Sequence, residues 1–345
     1  MRRKTRQFPL FIIFITVLSG GIFGYYYFQI TSSSGFDIEE PVSIYIDEKK
    51  DLDKLLSDLD TVAHIRNLAL FQRLAAYMHY KDNILAGRYV ISPSMSYLSV
   101  LKMLHNGLQT PVKLTFNNVR LKRDLIEKVG GQLMFGEDAL SKLINDVETC
   151  KSFGFDTTTI GCMFIPNTYD MYWNIPIGKF LERMKKEYDH FWTQERLEKA
   201  ANIPLSPVQV AVLASIVEEE TADKEDYAMI AGLYINRLRK GMLLQADPTV
   251  KFATGNFALR RILYAHLTID SPYNTYRYRG LPPGPIRLPS IACLDAVLNY
   301  THHNYLYMAA RADFSGKTNF VATYGEHIRN AREYQMKLNR RRVKN

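Results

Sequence analysis

Cysteine is scarce in this 345-residue chain: Cys150, Cys162 and Cys293 allow at most one pair, leave one thiol over, and match no zinc-ligand spacing. They read as scattered buried thiols, with a Cys150 to Cys162 disulfide as the alternative in an oxidising compartment. No G-x-S-x-G elbow occurs and no cysteine stands in a Cys-His motif, which disfavours nucleophilic peptidase chemistry. His302 and His303 are adjacent, so they do not share a face of a helix or strand, and no acid is spaced to complete a metal site. No metal or other cofactor is expected. Internal repeats and low-complexity tracts are also absent. The net charge is +9, but much of it lies in the first residues and in the tail Lys337, Arg340, Arg341, Arg342 and Lys344. Without a clustered basic and aromatic stripe, the sequence argues against nucleic acid as a partner.

Charge is missing altogether from Phe8 to Ile30, a run of mostly Phe, Ile, Leu, Val, Gly and Tyr. A bilayer span needs roughly 20 apolar residues. Arg2, Arg3, Lys4 and Arg6 precede the run and the first acid after it is Asp37, so the positive-inside rule leaves residues 1–7 cytoplasmic and sends the rest outward. Tyr25, Tyr26 and Tyr27 would lie at the outer interface. A cleaved signal peptide is the competing reading, but the apolar part exceeds the usual ~7–15 residues and no clear A-x-A site follows. The expected localisation is a cytoplasmic membrane, single-pass, with residues 8–30 as anchor and the remainder extracytoplasmic.

Residues 31–41, opening with Thr31-Ser32-Ser33-Ser34-Gly35, read as a linker that frees the outer part from the membrane. Alternation then predicts strands at Val42 to Ile46 and Gly87 to Ile91, and helical spacing predicts helices at Asp51 to Leu59 and Leu68 to His79. A helix opened by Ser94 and closed near Gly107 completes a compact α+β module over 42–108. Further on, Val112 to Phe116 predicts a strand, Leu121 to Leu133 a helix, and Ile177 to Leu197 one long charge-laced helix. The fold class is α+β: a small module followed by a mixed α/β domain over 109–345.

Ser206-Pro207-Val208-Gln209 is a sharp helix start, with an N-cap Ser, a Pro at the first helical position and a Gln placed to close a capping box. A second helix near Asp226 to Lys240 stops at Gly241. The first helix delivers Glu218, Glu219 and Glu220. Three successive glutamates at a helix end are ordinarily a solvated cap. Here positions 210 to 217 hold one polar residue, Ser215, and Glu218 is the first carboxylate in line with the small face of Ala211, Ala214 and Ser215. Desolvation raises the pKa of a partly buried Glu and keeps a proton available for donation to a leaving oxygen. Glu218 is therefore the leading candidate acid, with the roles of Glu219 and Glu220 open. Leu244 to Val250 and Ser271 to Tyr276 are turn-rich and crowded with hydrogen-bonding groups, and Gly280-Leu281-Pro282-Pro283-Gly284-Pro285-Ile286 is a stiff loop. Amides, hydroxyls and tyrosine rings together suit a carbohydrate.

Ala214 to Thr221, Tyr234-Ile235-Asn236-Arg237-Leu238, Leu244 to Val250, Ser271 to Tyr276, Gly280 to Gly284, Tyr305-Leu306-Tyr307 and Phe320 with His327 resemble, in order and spacing, the endolytic murein transglycosylases of the YceG-like family. Phe164 to Tyr169 resembles the family's LFPDTY segment, and the module at 42–108 resembles its LysM-like subdomain. Two departures stand out: Phe116-Asn117-Asn118-Val119 where many members carry a Pro-Glu-Gly turn, and Asn167 in place of Asp. Neither involves Glu218.

The resemblance implies cleavage of the β-1,4 bond between N-acetylmuramic acid and N-acetylglucosamine in nascent peptidoglycan, leaving a 1,6-anhydromuramoyl end. Glu218 would act as acid and then base, and Glu220, Gln245, Asp247, Thr249, Asn274 and Tyr276 would be orienting or sugar-binding groups. Glycan strands and the membrane are the implied partners, with cell-wall synthases as further candidates. Two other readings stay open: a hydrolytic muramidase using Asp247 or Glu220 as second carboxylate, and a non-catalytic anchored scaffold that holds cell wall.

Overall fold

The structure, a computed structural model, describes residues 7–259, 261–315 and 317–342. The cations Arg2, Arg3, Lys4 and Arg6, on which the expected orientation of the apolar run rests, and Lys344 of the basic tail, lie outside the described residues. Two compact units divide the chain: one comprises residues 1–114, 132–134 and 169–175, the other 115–131, 135–168 and 176–345.

The first unit opens with α1 (Gln7–Thr31), of which residues Ile12–Thr31 are long and apolar enough to cross a membrane. Then follow β1 (Val42–Ile46), α2 (Leu52–Thr61), α3 (Leu68–Tyr77), β2 (Gly87–Ile91) and α4 (Tyr97–His105). β1 and β2 pair antiparallel, Val42 opposite Ile91 and Ile46 opposite Gly87. Period-two alternation turns Ile44, Ile46, Tyr89 and Ile91 into a core shared with Leu55, Leu59, Phe71, Val100, Leu101 and Leu104. Asp51 and Asn67 cap α2 and α3 through their side chains. The cap of α4 is Ser96, not Ser94 as the sequence predicts: Ser96 and Ser99 form a reciprocal capping box two residues later.

The segment expected to be a free linker is docked from Gly35 onward. Phe36 is buried, bridges to Ile65 and meets the edge of the Tyr97 ring at 5.7 Å between centroids. Arg66 N–H donates to Gly35 O at 3.0 Å and Asp37 N–H to His64 O at 3.0 Å. A Cβ on Gly35 would come within 2.8 Å of the Tyr97 ring, so glycine permits this approach.

β3 (Val112–Phe116) pairs with β4 (Asn167–Met171), and the division between the units falls within these two strands. Between them come α5 (Lys122–Gly130), α6 (Gly136–Ile144) and α7 (Val147–Ser152). After β4 the chain continues through α8 (Ile177–Phe191), α9 (Gln194–Asn202), α10 (Pro207–Glu220), α11 (Tyr227–Arg239), α12 (Asp247–Thr254), α13 (Tyr264–Leu267) and α14 (Ile291–Leu298). The hairpin β5 (Tyr307–Ala310) and β6 (Thr318–Val321) and the terminal α15 (Tyr324–Arg342) close it.

The single helix expected over 177–197 is two. Phe191 and Trp192 are both buried and meet edge-on, and successive side chains cannot share one face of a straight helix. Trp192 leaves helical geometry at ψ 66°, and Thr193 caps α9. The three cysteines are separate buried thiols, so no Cys150 to Cys162 disulfide forms.

Candidate active site

The centre of the second unit is α10. Its start is the expected capping box: Ser206 Oγ accepts from Gln209 N–H, the Gln209 side chain accepts from Ser206 N–H, and Pro207 occupies the first turn. Every residue from Val210 to Val217 is buried, because α14, α11 and α12 pack around it. The one polar group in that run is fully used. Ser215 Oγ donates to Val212 O at 2.7 Å and accepts from Ile286 N–H at 3.0 Å, pinning the proline-rich loop to the helix. α11 lies close beneath residues 301–303, where a Cβ on Gly232 would meet Thr301 O at 2.4 Å.

The last turn of α10 therefore emerges from a dry core carrying three carboxylates. That is the negative end of the helix dipole, so cations and N–H donors must gather there. Each glutamate has its own set. Glu218, 10% exposed at its side chain, accepts the Ser290 N–H at Oε2 (2.7 Å), and Ser290 is the N-cap of α14. Its Oε1 lies 3.7 Å from Arg287 Nη2. Glu219 takes Arg120 Nη2 on both oxygens at 2.8 Å and Arg287 Nη1 at 2.9 Å. Glu220 accepts the Tyr234 hydroxyl at 2.5 Å.

The carboxyl that burial pushes up is Glu220, to about 7; Asp247 adds to the rise, while the Tyr234 bond and Arg237 oppose it. Burial, and then the neighbouring Glu220, push the Tyr234 phenol well above its ordinary range.

The two polar segments are joined to each other by hydrogen bonds. Gln245, at φ +50°, donates its N–H to Thr275 O at 3.1 Å, and Tyr276 donates its hydroxyl to Asp247 at 2.6 Å. Gln245 and Asp247 are exposed and Tyr276 is half-buried. Burial, reinforced by Asp247, pushes the Tyr276 phenol up. Thr249 and Asn274 differ. Both are completely buried. Thr249 Oγ1 bonds Ala246 O and Thr275 Oγ1, while Asn274 Nδ2 donates to Leu267 O and Ile269 O. These bonds hold together the loops that carry Gln245, Asp247 and Tyr276.

Asn236 and Arg237 explain the Tyr-Ile-Asn-Arg-Leu run. Asn236 Nδ2 donates to His303 O and Tyr305 O, and the buried Arg237 donates to Leu306 O and Leu244 O, each at 2.6 Å. Its guanidinium also lies over an aromatic ring, 5.4 Å from the Tyr307 centroid, and His327 stacks on that ring. Burial and Arg237 lower the His327 pKa.

Sequence reasoning missed Arg120, Arg287 and the Ser290 amide. Arg287 directly follows the proline loop, so its position was visible even though its target, 68 residues away, was not. Asn118, in the segment that departs from the Pro-Glu-Gly pattern, stands at φ +49° and accepts from Arg287 at 3.4 Å. That departure therefore reaches a direct neighbour of Glu218.

The YceG-like family matches residues 44–333. The chain belongs to the YceG-like family. This YceG-like chain is 28% identical over 365 aligned residues to a Streptococcus pneumoniae protein named endolytic murein transglycosylase, covering 95% of the chain and 65% of that relative's length. A Bacillus subtilis protein of the same name is 41% identical over 126 residues, covering 36% of the chain and 34% of the relative. Among solved structures, a YceG-like protein from Listeria monocytogenes superimposes with a TM-score of 0.54 at 26% identity, covering 85% of this chain and 99% of that one.

Proposed function

We propose that this YceG-like chain is an endolytic lytic transglycosylase that cleaves the MurNAc-β-1,4-GlcNAc bond of peptidoglycan with Glu218 as acid and then base. The observation that carries the reading is the setting of Glu218: a largely covered carboxyl at the end of a buried helix, met by one amide and one guanidinium, two residues before Glu220, which feels the charge of Asp247. The names of the pneumococcal and Bacillus relatives support the same activity.

In this mechanism the protonated Glu218 gives its proton to the glycosidic oxygen as an oxocarbenium-like centre develops at C1 of the muramoyl residue. The resulting carboxylate then takes the proton from that sugar's own C6 hydroxyl as the oxygen closes on C1. The C1–O4 bond breaks, the C1–O6 bond forms, and Glu218 regains its proton. A nucleophile held within the substrate needs no second carboxylate to activate water. Glu220 and Asp247, the candidates for such a second group, are each engaged by a tyrosine hydroxyl, which favours the single-carboxyl route over hydrolysis.

We further infer that α1 anchors the chain in a cytoplasmic membrane with the residues after it outside, as its apolar length supports. The β1-α2-α3-β2 order of the first unit supports a LysM-like, wall-binding module. The test of the activity is product analysis after incubating the detergent-solubilised chain with glycan strands. Anhydromuramoyl ends are expected; reducing ends in their place would make the enzyme a hydrolase, and intact strands would leave the scaffold reading.

A further inference from the structure

Arg287 is the group that touches two of the three glutamates. Its Nη1 is 2.9 Å from Glu219 Oε1, its Nη2 is 3.7 Å from Glu218 Oε1 and 3.4 Å from Asn118 Oδ1, and its Nε is buried with no acceptor. Glu219 is fixed from its other side by Arg120, whose guanidinium rests over the Phe257 ring at 5.0 Å. The side chains of Arg287, Glu218 and Glu219 are 15%, 10% and 14% exposed, so solvent screens these contacts little.

Resting on the transglycosylase reading, we propose that Glu219 is a positioning residue that acts on Glu218 through Arg287. A guanidinium fork closes well on one carboxylate at a time. Here its short contact goes to Glu219, and Glu218 keeps the longer one. Proton donation requires Glu218 to be protonated in the first step, and a cation closed tightly on it would oppose that form. Glu219 draws the fork aside. The acid is thereby left with a weak cationic contact that steadies the carboxylate after the proton has gone.

Among the described residues, the other groups found to face Glu218 bring no charge in the neutral range. Tyr227 of α11 and Cys293 of α14 have their ionisation pushed up by burial first and by Glu218 second. The loop before α14 offers the neutral Ser290 amide. On α10 itself the adjacent charge is Glu219, and Arg120 reaches the cluster through Glu219.

A double-mutant cycle with two readouts tests this. One is the alkaline limb of the pH profile for glycan cleavage by the full chain. The other is the pH dependence of carbodiimide labelling at Glu218, read by peptide mass, which needs a protonated carboxyl and no turnover. Glu219→Gln should move both to lower pH by about one unit, and Arg287→Gln should move both to higher pH by a similar amount. The double variant should match Arg287→Gln alone. An equal shift from Glu219→Gln with and without Arg287 would mean that Glu219 acts directly, and no shift would mean that it does not act at all; either overturns the proposal. Should Arg287→Gln fail to fold, Arg287→Lys serves, because an ammonium lacks the fork and should reduce the Glu219→Gln effect by more than half. If labelling shifts as expected while the wild type cleaves no glycan, the coupling stands and the transglycosylase reading falls.

Discussion

Tyr234, in the middle of α11, donates its hydroxyl to Glu220 across 2.5 Å and so ties the last turn of α10 to the helix that carries Arg237. The bond closes over a carboxyl that burial moves from 4.5 to about 7. Glu220 is thus a titrating group within the physiological range and a part of the fold at the same time.

A pH dependence of stability follows. Because the folded state raises the pKa of Glu220, it binds that proton more tightly than the unfolded chain does. The contribution is fully present below about pH 4.5 and is lost as pH rises through about 7, on the order of 3 kcal/mol at most. Thermal unfolding across this window should show a component that falls with rising pH, and Glu220→Gln should flatten it. An unchanged pH slope in the variant would contradict the assignment.

Ser215 links the helix that carries Glu218 to the proline-rich loop. In Ser215→Ala the Ile286 N–H is left buried without its acceptor, which costs about 1–3 kcal/mol. Arg287 follows Ile286 directly, so glycan cleavage should fall as well as melting temperature. Ser215→Thr restores the hydroxyl but adds a methyl in a closed core and should recover activity only in part.

Gly232 offers a test of the packing alone. An alanine there would press its Cβ to 2.4 Å from Thr301 O, a backbone atom that can yield only if the 301–303 segment moves. Gly232→Ala should lower stability by about 1–3 kcal/mol, despite the higher helix propensity of alanine. Chemical denaturation reads this directly; a more stable variant would show that the two segments separate readily.

Local signals in the sequence carried over well. The Ser206 to Gln209 box lies within four residues, and β1, β2 and β3 follow their alternation residue for residue. Long-range matters did not. The break at Trp192 depends on where two aromatic rings find space, and the Ser96 cap on which of two serines has Ser99 in reach. At the site, the three glutamates were legible as a cluster, but their different surroundings rest on Arg120, 99 residues from Glu219, on Arg287 and on Tyr234. No periodicity brings those partners together. Thr249 and Asn274 show the converse: their polar type suggested a sugar, and the fold spends their hydrogen bonds internally.

The central claim is that Glu218 alone carries both proton transfers. The most direct measurement is mass spectrometry of glycan ends after digestion by the wild type and by Glu218→Gln, an isosteric change that keeps an acceptor for the Ser290 amide but removes the transferable proton. The account predicts anhydromuramoyl ends, lighter by one water than reducing ends, from the wild type, and a loss of about 10³-fold or more in the variant. Retained cleavage by Glu218→Gln, or hydrated ends from the wild type, would contradict it.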